Sequence, residues 1–286
     1  MSKTSEDLNF GPISKWEGVV PFDRLSKKAI LLPSAYMTEE KRSLTFPQHI
    51  LFRFLTLSQR TSYSTLLLTS WGLLLPALAL NRVRLEQLIV SSYLIHERED
   101  VGIKAFLEHM PISTYLNTEA AMSDSKVAKI LGRDIDMEKV RQEAVKVMSG
   151  LKPGFDPSTD RFQRKWTNLD LRSMAKRRDE MAASSNAISK DPLERFYVTV
   201  YKDFSSVVHS DCLALSPVFL GDLVFHPENG PVLIPQFGWA TQVSALNALF
   251  DIIQTYETMS FVGVDCLDTF WRLHGEWKSA ASVFIK

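Results

Sequence analysis

The chain has 286 residues with 33 Lys+Arg against 33 Asp+Glu, and 45% of its residues are hydrophobic. Such a composition can fill a sizeable core and excludes a disordered chain, while a net charge of +0 gives no argument for nucleic acid or an anionic membrane from overall charge. The polar start MSKTSEDLNFGPISKWEG has no apolar signal core, and the two cysteines, Cys212 and Cys266, lack metal or redox spacing, so a reduced cytoplasm is the expected location.

Residues 1–46, punctuated by Pro12, Pro21 and Pro33, read as an irregular N-terminal arm with a short helix over Arg24–Leu31. The remainder, 47–286, reads as a single helical domain. Pro47 can open a helix running to about Trp71, which Gly72 and Pro76 then interrupt. The uncharged stretch 61–81 is long enough to span a bilayer, yet it opens on Thr61–Thr65 and contains Pro76. A buried bundle helix is the expected reading, and a membrane span is the alternative.

The next helix, from Ala77 to about Arg98, carries Arg82, Glu86, Ile89, Tyr93 and His96 at 4-3-4-3 spacing, so these five share one stripe. An Arg and a Glu one turn apart form either a surface i, i+4 ion pair or a semi-buried pair lining a pocket. Two shorter helices follow around Pro111. Asp136 caps another, ending at Ser149 with Gly150 as its stop. LKPGFDPSTD reads as a loop, and Thr167 with Asp170 opens a further helix.

The most informative stretch is Asp191–Cys212, DPLERFYVTVYKDFSSVVHSDC. Asp191 is a good N-cap, Pro192 suits the first helical position and Glu194 sits three residues after the cap. At 100° per residue Tyr197, Val200, Tyr201, Phe204 and Val208 share an apolar arc. Tyr201, Ser205 and His209 form an i, i+4, i+8 row at its edge. After Cys212 the pattern changes: two apolar runs around Pro-Glu-Asn-Gly predict a small β-hairpin near residues 223–234. Two last helices follow, about Trp239–Phe261 and Asp265–Lys278. The expected class is therefore all-α, a multi-helix bundle with that small hairpin.

Charge is uneven along the chain. Residues 126–190 hold 15 Lys+Arg against 9 Asp+Glu, and 211–286 hold 3 against 8. The run Lys176, Arg177, Arg178 in the basic third is the candidate contact for RNA; its alternative is a solvated helix face. No GxGxxG, GxxxxGK[ST], HExxH or GxSxG occurs. The six scattered histidines show no metal spacing, so no metal and no cofactor are expected. Ser205 and His209, one turn apart, lack an orienting acid or oxyanion hole in view.

Arg82-Val83-Arg84-Leu85-Glu86 and the Tyr201/Ser205/His209 helix, together with Trp166, resemble a bacterial family of unknown function. That family is marked by an Arg-x-x-x-Glu helix and a Tyr-x-x-x-Ser-x-x-x-His helix, and the likeness covers roughly residues 55–225. More distantly the pattern is similar to the HEPN superfamily of helical bundles, many of them ribonucleases of toxin and defence systems whose Arg and His face a dimer cleft. The resemblance implies an RNA-binding or RNA-cleaving element, metal-independent, and a homodimer. This chain lacks the superfamily's Arg-x(4–6)-His spacing before His209. If the two helices pack antiparallel, Arg82 could hold a phosphate, Glu86 could orient His209, and His209 could act as acid and base, with Tyr201, Ser205, Tyr197 and Trp166 lining the site. The alternative is a non-enzymatic interaction module whose Arg/Glu/Tyr/His cluster is a structural polar network.

Overall fold

The structure is a computed structural model that describes residues 17–40, 43–97, 99–122, 136–184, 191–201, 204–205, 222–226, 230–234 and 237–285. Its helices run α1 (Val20–Glu40), α2 (Phe46–Ser70), α3 (Leu74–His96), α4 (Glu99–Glu108), α5 (Met110–Met122), α6 (Met137–Leu151), α7 (Leu171–Ser184), α8 (Leu193–Phe196), α9 (Phe237–Phe261) and α10 (Leu267–Phe284). A π-helical turn over Tyr197–Tyr201 continues α8. Two five-residue segments, β1 (Asp222–His226) and β2 (Gly230–Ile234), pair antiparallel with Val224 opposite Val232. The chain divides into two compact units, Met1–His96 with Leu171–Lys286, and Glu97–Asp170. Each unit has its own apolar cluster.

In the larger unit, α9 is the central element. Every residue from Asn247 to Met259 is buried, so this stretch of the helix has no solvent face. Its neighbours are α1, α2, α3 and α10. Phe22, Leu25 and Ala29 of α1 pack with Ala245, Ala248, Ile252, Tyr256 and Met259 of α9 and Phe270 and Leu273 of α10. Burying the Phe, Leu, Ile and Met side chains among these contributes about 1.5–3 kcal/mol each. The positions 22, 25, 26 and 29 make a continuous helical stripe, which explains why α1 is a full 21-residue helix rather than the irregular arm that its prolines suggest.

The uncharged stretch 61–81 is cut in two by a helix stop. Gly72 has φ 74°, a conformation that favours glycine. Leu73 N–H donates to Leu68 O at 2.9 Å and Gly72 N–H to Thr69 O at 3.0 Å, the two bonds of a Schellman cap. The same pair of bonds closes α9, where Gly263 has φ 78°: Val264 N–H reaches Met259 O at 2.9 Å and Gly263 N–H reaches Ser260 O at 3.0 Å. The α2 half of the stretch buries the hydroxyls of Ser62, Thr65 and Thr69. Among the described residues no helix is long and apolar enough to cross a membrane.

The smaller unit gathers Ile112, Tyr115, Ala144, Met148 and Phe155 into its own cluster. Phe162 packs on Tyr115 and Phe155 at ring-centroid distances of 4.7 and 5.2 Å. Asp136 caps α6 by accepting from Lys139 N–H at 3.1 Å, as its sequence position predicts. The helix continues past Gly150 to Leu151; the positive φ falls instead at Gly154. Thr167 does not open α7. Its hydroxyl accepts from Leu169 N–H at 3.2 Å, a local turn that competes with helix, and α7 begins at Leu171.

Candidate functional site

Arg82 and Glu86 lie one turn apart on α3, and their side chains keep 17% and 33% exposure. Arg82 Nε donates to Glu86 Oε1 at 3.2 Å. From the π turn, Tyr201 completes a triangle: Arg82 Nη2 donates to the Tyr201 hydroxyl at 2.9 Å, and that hydroxyl donates to Glu86 Oε1 at 2.9 Å. The Arg82 guanidinium also sits 4.8 Å from the Tyr201 ring centroid. Tyr197 stacks on Tyr201, with centroids 4.5 Å apart and planes at 19°. The site therefore joins a cation, a carboxylate and two parallel phenol rings, all half-buried.

The electrostatics favour a charged Arg82 and a neutral Tyr201. Partial burial pulls the Arg82 guanidinium down, but the Tyr201 hydroxyl and the Glu86 charge outweigh it and hold Arg82 above its ordinary value. Burial, seconded by Glu86 and opposed by Arg82, pushes the Tyr201 phenol up. Arg82 thus stays charged and Tyr201 neutral, so the phenol can accept from one partner and donate to the other.

The other expected site residues are distributed differently. Ser205 is half-buried, in helical backbone beside buried Phe204. His209 and Cys212 lie outside the described residues. Trp166 belongs to the smaller unit, where its ring meets Phe106 nearly perpendicular at 5.4 Å. Of the helix expected from Asp191 to Cys212, the described residues show an α turn over Leu193–Phe196, the π turn over Tyr197–Tyr201 and helical backbone at 204–205, and the remainder lies outside the described residues. The 100° periodicity therefore fails after Phe196.

The cap expected of Asp191 comes from another helix. Asp179 of α7 accepts from Leu193 N–H at 3.0 Å and from Glu194 N–H at 2.9 Å, satisfying the free amides at the start of α8. Asp191 instead accepts from His274 Nε2 at 3.2 Å through its carboxylate, and from Arg178 at 2.8 Å through its backbone carbonyl.

Arg178 corrects the reading of the basic run. Its side chain is fully buried and pairs with Glu257 of α9 and with Asp179. It cannot serve as a surface contact for RNA. Lys176, exposed, lies 3.9 Å from Glu180, and Arg177 is exposed. Consecutive helical residues are 100° apart, so three adjacent cations do not share a face, and the third falls on the core side.

Sequence reasoning also missed the polar ladder along α9. Asn247, Asp251, Gln254 and Thr258 follow helical spacing within an apolar helix and are all buried. Arg84 Nη2 meets Asp251 Oδ1 at 2.7 Å and Arg84 Nη1 donates to Gln254 Oε1 at 2.9 Å. Ser26 and Ser62 donate to Asp251 Oδ2, and Asn247 Nδ2 reaches Ser62 Oγ at 2.8 Å. One helical turn onward, Glu257 accepts from Ser92 and Arg178. Burial pushes the Asp251 carboxyl up against the opposing pull of Arg84, Ser26 and Ser62. Burial likewise pulls the His96 imidazole down against the charge of Glu257. The signal was the polar stripe at positions 247, 251, 254 and 258, together with a second arginine, Arg84, two residues after Arg82.

Asp23, buried at the start of α1, has its carboxyl pushed up from 3.8 to about 6 by burial, with Lys27 opposing. A folded-state value above the unfolded one means that folding favours the protonated acid. Its contribution is therefore present below about pH 4 and lost as pH rises through about 6. Asp23→Asn removes this term. The stability difference between Asp23→Asn and wild type is expected to shift in the variant's favour by about 2 kcal/mol between pH 4 and pH 7, read from urea midpoints at each pH.

Among the described residues no group of three His, Cys, Asp or Glu side chains could hold a metal ion. The buried Cys266 thiol is pushed up to about 11 by burial, which leaves it protonated at neutral pH. No curated protein and no solved structure matches the chain. A family of unknown function, DUF5677, matches residues 48–223, and the chain belongs to that family.

Proposed function

We propose that the Arg82–Glu86–Tyr201 cluster is an RNA phosphate site, and that His209 carries out acid–base cleavage beside it, in a cytoplasmic bacterial protein related to the HEPN ribonucleases. The observation that carries this reading is a partly exposed arginine held charged by a tyrosine and a glutamate, next to two stacked phenol rings. An arginine neutralises a phosphate oxygen, and aromatic faces take bases of single-stranded RNA by stacking. The π turn under Tyr197 and Tyr201 is a local irregularity of a kind frequent at functional sites.

In this reading the 2′-hydroxyl attacks the adjacent phosphorus as the P–O5′ bond breaks, leaving a 2′,3′-cyclic phosphate and a 5′-hydroxyl. His209 takes the 2′-hydroxyl proton, a proton is returned to the leaving O5′, and Arg82 balances the charge on the phosphate. Glu86 is a positioning residue that holds Arg82 and orients the imidazole. A homodimer bringing two such clusters to one cleft belongs to the same proposal.

The test is incubation of total cellular RNA and purified tRNA with the protein, beside folded His209→Ala and Arg82→Ala variants. Discrete cleavage by wild type, reduced at least ~100-fold in each variant, is the expected result. Intact RNA with wild type under varied metal and salt would overturn it. The mutual satisfaction of Arg82, Glu86 and Tyr201 favours a second reading, in which the triangle fixes the register of α3 against the π turn within a non-enzymatic interaction module.

A further inference from the structure

A different surface carries a second prospective contact. From Lys41 to Leu85 the chain contains no Asp or Glu, and α2 lies wholly within this stretch. Its inner side, with Leu51, Leu55, Ser58, Ser62, Thr65 and Leu66, is buried. Its outer side presents Phe46, Arg53, Leu57, Arg60, Leu67 and Trp71, all exposed; Phe46 and Trp71 are 66% and 62% accessible. At 100° per residue these six fall within an arc of about 80°, along a helix about 37 Å long. Phe46, Arg53, Arg60 and Leu67 recur at intervals of seven. A stripe of large apolar side chains on a surface marks an interaction site.

We propose that this outer face of α2 docks an acidic amphipathic helix of a partner protein. The heptad spacing is that of a helix–helix seam. The arginines lie inside the apolar arc, so the partner must place carboxylates between its own apolar anchors, as in the helix-in-groove mode of recognition. A second copy of the chain is a poor fit, because two such faces would set Arg53 and Arg60 against arginines with no carboxylate between them. A nucleic acid strand offers a phosphate about every 3.4 Å, against two cations on the whole stripe, and leucines do not stack on bases. An interfacial membrane helix carries its cations on its polar face, whereas here they sit amid the leucines.

The test is fluorescence anisotropy of the full chain with two labelled 28-residue peptides. Both have Leu at the heptad a and d positions; one has Glu at e and g, the other Lys. Wild type is expected to bind the Glu peptide at least ~30-fold more tightly than the Lys peptide. Arg53→Glu/Arg60→Glu is expected to invert that preference, and Leu67→Ala/Trp71→Ala to weaken binding at least ~10-fold without changing it. The inversion requires a charge-matched helix on this face. Failure to bind the Glu peptide, a preference unmoved by charge reversal, or tighter binding to phosphatidylglycerol vesicles or to a single-stranded RNA oligomer that Arg53→Glu/Arg60→Glu abolishes would each overturn the proposal.

Discussion

Exchanging Arg84 for Met is expected to lower the stability of the larger unit by about 3–5 kcal/mol, the cost of leaving a buried charge without its partner. Arg84 is 1% exposed, and its guanidinium bridges Asp251 and Gln254. Met keeps most of the aliphatic volume, so cavity formation adds little, and the loss reports on Asp251. The carboxylate would keep Ser26 and Ser62 as donors but no cation. Adding Asp251→Leu removes the stranded charge. Ser26, Ser62 and Asn247 already contact one another at 2.8–3.3 Å, so they remain paired, and the double variant is expected to recover at least ~2 kcal/mol of the loss. Urea titrations of wild type, both single variants and the double variant measure this coupling. Additive losses would show that the pair makes no net interaction.

Replacing Arg178 by Met is expected to cost a comparable ~3–5 kcal/mol and, in addition, to loosen the segment that carries the tyrosines. Arg178 reaches Glu257 in the central helix, Asp179 on its own helix and the Asp191 carbonyl just before α8. Asp179 in turn caps α8. One guanidinium thus ties α7, α9 and the start of the Tyr197–Tyr201 turn together. Lys176→Met, two residues away and exposed, is expected to change stability by less than ~0.5 kcal/mol. Denaturation midpoints compare the two variants, and near-ultraviolet circular dichroism of the tyrosines reports the second effect of Arg178→Met. An unchanged tyrosine signal would mean that α8 is held in place without Arg178.

The sequence pattern located most helices where local chemistry decides them. Gly72 divides α2 from α3, Pro76 stands in the first turn of α3, Asp136 caps α6, and Pro111 stands in the first turn of α5. The stripe through Arg82 and Glu86 and the position of Tyr201 were legible too, and the fold brings these three side chains together. What could not be read depends on neighbours far along the chain. Asp191 has the composition of a cap, yet Asp179 supplies that cap from α7. Arg178 reads as part of a basic surface run, yet its counter-charge, Glu257, lies 79 residues away. The length of α1 comes from the face of α9 it covers, and the prolines at 21 and 33 mask the core stripe that makes this contact. The helical repeat assumed after Asp191 gives way to a π turn over Tyr197–Tyr201, which departs from the 100° spacing of the predicted arc.

These observations divide α3 between two roles. Arg84, about 200° around the helix from Arg82, faces the core and holds the fold; Arg82 faces the half-exposed tyrosines. Arg82→Ala should therefore leave stability nearly intact while removing the proposed RNA chemistry. The most direct measurement is the rate of cleavage of a labelled single-stranded RNA by wild type and Arg82→Ala, with urea midpoints taken on the same preparations. A loss of at least ~100-fold in rate with a midpoint change equivalent to less than ~1 kcal/mol is the predicted result. A stability loss as large as that of Arg84→Met, or an unchanged rate in a folded Arg82→Ala variant, would contradict it and assign the triangle to the fold.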